Sequence, residues 1–112
     1  MNNAFSNFGI KSGEGLKSLL DSCGLITNGV ALDSSQNVIR LSNCVTLNWK
    51  SRRKQVRINC KEAMMHVIEQ KTNLKHIANG SGDPTHEFSF LLDDMGSLVD
   101  VIYVLRHYIV NC

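Results

Sequence analysis

The chain has 112 residues, 43% of them apolar and 20% charged, with a formal net charge of +2. That length supports one modest core and is too short for two. The longest apolar stretch, Leu98 to Val110, is broken by Asp100, Arg106 and His107 and is too short to cross ~30 Å of hydrocarbon, so a membrane span is excluded.

Residues 1–11 read as a mobile start ahead of a single domain over 12–112. The opening stretch Met1 to Gly9 is polar and Asn-rich, without the cationic start and apolar run of an export signal, and none is expected. Ser12 then caps a short helix in which Leu16, Leu19, Leu20 and Cys23 recur at helical spacing, with Gly24 as its left-handed stop.

Two hairpins follow. Val30 to Leu32 and Val38 to Leu41 flank Asp33-Ser34-Ser35-Gln36-Asn37, a cluster of turn-forming side chains. Beyond Leu41, Ser42-Asn43 is either a break or the middle of one strand from Val38 to Lys50. The second hairpin joins Val45–Lys50 to Gln55–Cys60 across Ser51-Arg52-Arg53-Lys54. Setting Trp49 opposite Val56 puts Leu47 against Ile58 and Val45 against Cys60, so all six apolar side chains share one face. Thr46, Asn48, Lys50, Gln55, Arg57, Asn59 and Lys61 fall on the other.

Asn59 followed by Glu62 fits a capping box opening a helix that carries Met64, Met65, Val67, Ile68, Leu74, Ile77 and Ala78 and ends at Asn79-Gly80. A loop over 79–84 leads to a strand in which Phe88, Phe90 and Leu92 alternate. Asp94 caps a last helix that is apolar around more than half its circumference. The expected fold is α+β, an antiparallel sheet of about four strands with three helices, two of them packed on its apolar face.

Charge placement carries the functional expectation. From Ser34 to Lys61 there are seven cations and no carboxylate, a +7 block between flanks that sum to −5. Lys50, Arg52, Arg53, Lys54 and Arg57, with Lys61 and the amide of Asn48 on the same strand face, suit the phosphates of DNA or RNA. An acidic protein surface is the alternative partner, and exposed hairpin tips also carry charge simply to stay soluble and discourage edge pairing. Trp49 points inward in the proposed register, which favours contact with backbone or duplex over base stacking; only Phe5 and Phe8 remain free to stack.

No catalytic, cofactor or metal site is expected, and the protein reads as non-enzymatic. Glu62 and His66 stand one helical turn apart, which is an ordinary surface contact. The glycines form no phosphate cradle, and Cys60 with His66, or His107 with Cys112, lacks the spacing of a tetrahedral Cys/His site. Four widely spaced cysteines read as free thiols in a reducing, intracellular setting, and with the Asn abundance they suit a viral or phage accessory protein. The breadth of the last helix suggests either a homodimer through Val101, Leu105, Tyr108 and Ile109 or cover by the first helix.

Overall fold

The computed structural model describes residues 5–25, 37–42, 44–77 and 88–109. A short 3-10 turn, Phe5–Phe8, precedes helix α1 (Gly13–Ser22). Strands β1 (Val38–Arg40), β2 (Val45–Lys50) and β3 (Gln55–Cys60) follow, then α2 (Glu62–Lys71), β4 (Phe88–Leu92) and α3 (Met95–Tyr108). The strands form one antiparallel sheet in the order β1-β2-β3-β4. Among the described residues the architecture is α+β with three helices and four strands, as the residue pattern implies.

The β2–β3 register matches the sequence expectation residue for residue, with Trp49 opposite Val56, Leu47 opposite Ile58 and Val45 opposite Cys60. A one-residue slip would have sent Leu47 or Ile58 to the polar face, and the burial of those side chains forbids it. The inward face continues through Ile39 on β1 and Phe90 and Leu92 on β4, all buried. Leu16 and Leu20 of α1, Met64, Met65 and Ile68 of α2, and Leu98, Val101, Ile102 and Leu105 of α3 complete one core with them.

Local capping agrees at two helix starts and fails at a third. The Ser12 hydroxyl accepts from the Gly15 N–H, and an Asp94 carboxylate oxygen accepts from the Ser97 N–H at 3.0 Å. Gly24 closes α1 at φ +87°. In α2, however, the cap position is Lys61, which makes no side-chain capping bond. Asn59 remains in β3, where its Oδ1 accepts from Arg57 Nε and Ser89 Oγ, so the expected capping box is not formed.

Three further expectations are corrected. The helix anticipated to run to Asn79-Gly80 ends at Lys71, where Thr72 Oγ1 donates to the Ile68 carbonyl and accepts from the Leu74 N–H. The chain then runs to Ile77, whose N–H donates to the Ser89 carbonyl at 2.8 Å in a bridge on the free edge of β4. Leu74 and Ile77 thus owe their spacing to a non-helical segment. The start of the chain is tied down from Phe5 onward: Phe5 and Ile10 are core residues, and Phe5 packs edge-on against Trp49, so it is not free to stack. Gly15 permits this, because a Cβ there would stand 3.1 Å from the Gly9 carbonyl oxygen.

Val101 and Leu105, assigned above to a dimer interface, are fully buried in the chain's own core. Tyr108 and Ile109 are half-buried against it. Leu98, Val101, Ile102 and Leu105 of α3 join the core with the sheet and α2, Val99 and Tyr103 stay exposed, and the end of α1 lies beside the helix, with Gly24 against the Arg106 side chain. The expected strand Val30 to Leu32 with the turn cluster up to Gln36, and the expected loop over 79–84, lie outside the described residues. Ser42 marks a true reversal: Leu41 N–H and Ser42 N–H both donate to the Val45 carbonyl, so β1 folds back on β2.

Candidate functional site

The sheet's second face is the starting point. Its rows, read across the strands, are Arg40, Thr46, Asn59 and Ser89, then Val38, Asn48, Arg57 and Leu91, then Lys50 and Gln55. Between this face and the β2–β3 turn is a cleft of about 660 Å³, walled by Asn37, Val38, Asn48, Lys50, Arg52, Arg53, Gln55, Arg57 and Leu91 among others. Its volume lies within the range typical of ligand sites. Four of its side chains are cations.

Strand register and turn geometry position these groups. Lys50 and Gln55 form the last pair before the turn, and Ser51, Arg52, Arg53 and Lys54 are all exposed. The turn closes with Lys54 at φ +54°, a left-handed conformation that costs a non-glycine residue about 1–2 kcal/mol. Arg57 is held flat along the face: Nε donates to Asn59 Oδ1 and an η nitrogen to Ser89 Oγ, both at 3.2 Å. Ser89 Oγ donates to the same Asn59 oxygen at 2.7 Å, which closes a three-residue network. A guanidinium carries five N–H donors, so others remain for a ligand.

Among the described residues, the ion pairs are His66 with Glu62 and His76 with Glu69, and neither involves a cation of the cleft. The carboxylate that reaches its rim is Asp93, which accepts a hydrogen bond from the Gln55 amide. Among the described residues, therefore, no carboxylate is ion-paired with these positive groups. In a concave site bounded by protein, like charges reinforce the local potential and draw anions.

Of the sequence-selected residues, Asn48, Lys50, Arg52, Arg53 and Arg57 line this cleft. Lys54 lies on the other side of the turn, against Phe5, Ile10 and Trp49. Lys61 stands at the start of α2, beyond the far end of β3 and roughly 20 Å along the strand from the turn, so it does not join them. Gln55, expected on the polar face from the β2–β3 register, lines the cleft as well. Asn37, Val38 and Leu91 also line it without that expectation; Val38 and Leu91 required knowledge of which strands flank the pair. Arg40 adds a further exposed cation on the row beside Thr46.

The other candidates are dispersed. Glu62 and His66 are exposed on α2 at 3.5 Å, outside the cleft lining. Cys23 and Cys44 are free thiols, and among the described residues no three His, Cys, Asp or Glu side chains converge as metal ligands. No described helix is long and apolar enough to cross a membrane. Comparison of the chain with protein-family models, curated proteins and solved structures finds no match.

Proposed function

We propose that this is a small non-enzymatic nucleic-acid-binding protein that grips phosphates with its basic hairpin and the adjoining sheet face. The observation that carries the reading is the convergence of Lys50, Arg52, Arg53 and Arg57 on one cleft without an ion-paired carboxylate among the described residues. Arg forks and a Lys point charge match phosphate oxygens, while Asn48 and Gln55 offer amides able to bond sugars or base edges. Among the described residues that line the cleft the ring side chain is Trp49, whose indole belongs to the opposite face, so backbone contact outweighs base stacking.

Salt titration tests this. Three or four phosphate contacts give a log–log slope of about −3 to −4 on duplex DNA, at roughly −0.9 per contact. Replacing Arg52 and Arg53 by Glu abolishes binding, and the fold survives because both residues are exposed on the turn. A protein that ignores DNA and RNA oligonucleotides at 50 mM salt but is retained by an acidic protein surface, with the same two arginines required, would overturn the nucleic-acid reading in favour of an acidic partner.

A further inference from the structure

Helix α3 keeps one stripe outside the core. Gly96, Val99, Asp100, Tyr103, Arg106 and His107 are exposed and recur every three or four residues, the period of a seam that one helix offers to another. Tyr103 is 69% exposed and Val99 39%, two of the three exposed large apolar side chains among the described residues. The stripe lies on the opposite side of α3 from Val101 and Leu105, which are buried in the chain's own core.

Beside Tyr103 the surface is hollow. A cleft of about 540 Å³ is walled by Asp100, Tyr103, Val104 and His107 of α3 and, among others, by Thr72 and Asn73 at the end of α2. Residues i, i+3, i+4 and i+7 of a helix form the hole that receives a knob from a facing helix, and 100, 103, 104 and 107 have that spacing. Val104 gives the hole an apolar floor, whereas Asp100, Tyr103 and His107 stand in solvent around it. A protruding ring and a hole of matching kind thus share one patch, which is the condition for an isologous contact.

We propose that this face of α3 binds a second copy of the chain, the two helices pairing antiparallel about a twofold axis at Tyr103, with each Tyr103 seated in the other copy's hole. Charge selects the occupant and its direction. Asp100 precedes Tyr103 by three residues, and Arg106 and His107 follow it by three and four. Reversing the second helix therefore sets each Asp100 level with the partner's Arg106 and the partner's His107. A parallel pair would set Asp100 on Asp100 and Arg106 on Arg106, which like charges oppose. Among the described residues none of these three groups is ion-paired within the chain, and Lys71 of the cleft lies over the Tyr108 ring at 5.9 Å. The 14 residues of α3 span only ~21 Å, so the contact is smaller than a standard interface of ~800 Å² per partner and the dimer is a weak one. Because α3 packs on the apolar face of the sheet, pairing leaves the basic cleft of each copy open.

Sedimentation velocity on the full chain at low salt, from about 5 to 500 µM, should show a reversible monomer–dimer equilibrium with a dissociation constant on the order of 100 µM. Tyr103→Ala should weaken it at least about tenfold, as loss of a central aromatic anchor does. Asp100→Lys and His107→Glu each oppose like charges across the seam and should weaken self-association alone, whereas an equimolar mixture of the two should recover a heterodimer of parental strength. All three residues are exposed, so the variants should fold, and circular dichroism checks that they do. A parent that stays monomeric throughout the range, folded Tyr103→Ala that dimerises like the parent, or a mixture that associates no better than either charge variant alone would overturn the assignment.

Discussion

Thr46 offers a test in which a substitution should raise stability. It sits on the polar row of the sheet between Arg40 and Asn59, yet it is only 7% exposed and its hydroxyl makes no hydrogen bond. Thr46→Val keeps the branched shape and β preference while exchanging the orphan hydroxyl for a methyl group. Removing the desolvation penalty of an unpaired hydroxyl is worth about 1–2 kcal/mol, and an added buried methyl contributes in the same direction. For a chain of this length that corresponds to a rise in Tm of roughly 4–8 °C. Thr46→Ser supplies the contrast: it retains the hydroxyl, loses a buried methyl and should destabilise by about 0.8 kcal/mol. Urea unfolding monitored by circular dichroism and by Trp49 emission measures both, with an unchanged m value required. A Thr46→Val protein that is less stable than the parent would refute the reasoning, because it would mean that the hydroxyl has a partner in solution. Phosphate binding should be unaffected, since no cation is altered.

Other outcomes follow from the same structure. Lys54→Gly relieves the left-handed strain at the turn and should stabilise by roughly 0.5–1 kcal/mol after the extra chain entropy of glycine, measured by urea midpoint. Leu105→Ala should destabilise by about 2–5 kcal/mol, because the residue is wholly inside the core and not on a surface offered to a second copy; thermal unfolding checks it. Glu69 is held below the ordinary carboxylate range, first by the backbone N–H of His76 and then by its side chain. Its contribution is therefore complete above the ordinary carboxylate pKa and is lost as pH falls through the lowered value. The protection factor of the Ile77 amide, its exchange relative to the intrinsic rate at each pH, should fall on acidification in the parent, and Glu69→Gln should flatten that dependence.

The contrast between what could be read in advance and what could not is clearest in neighbouring elements. Alternation in Val45–Lys50 and Gln55–Cys60 specified both the pairing and its register, because period-two patterning on two adjacent segments admits one alignment with a clean apolar face. The caps at Ser12 and Asp94 were equally legible, since capping depends on a few local atoms. The helix after β3 was not: Leu74 and Ile77 sit at helical spacing, but the Thr72 hydroxyl and the carboxylate of Glu69 stop the helix, and a main-chain bond to Ser89 holds Ile77 beside β4. That bond joins residues distant in sequence.

The cations of the candidate site were visible as a run of like charges, yet their division was not. Strand alternation places Lys50 and Arg57 on the open face, whereas the turn sends Arg52 and Arg53 toward the cleft and Lys54 toward Trp49. Composition and periodicity by themselves determined the α+β class, the β2–β3 ribbon and its charge. Tertiary packing alone decided that Phe5 and Ile10 belong to the core, that Val101 and Leu105 of α3 are buried in it, and that Val38 and Leu91 wall the cleft. The physical reason is range: periodicity and capping act over one or two turns of chain, while cavities and buried faces depend on segments that meet only after folding.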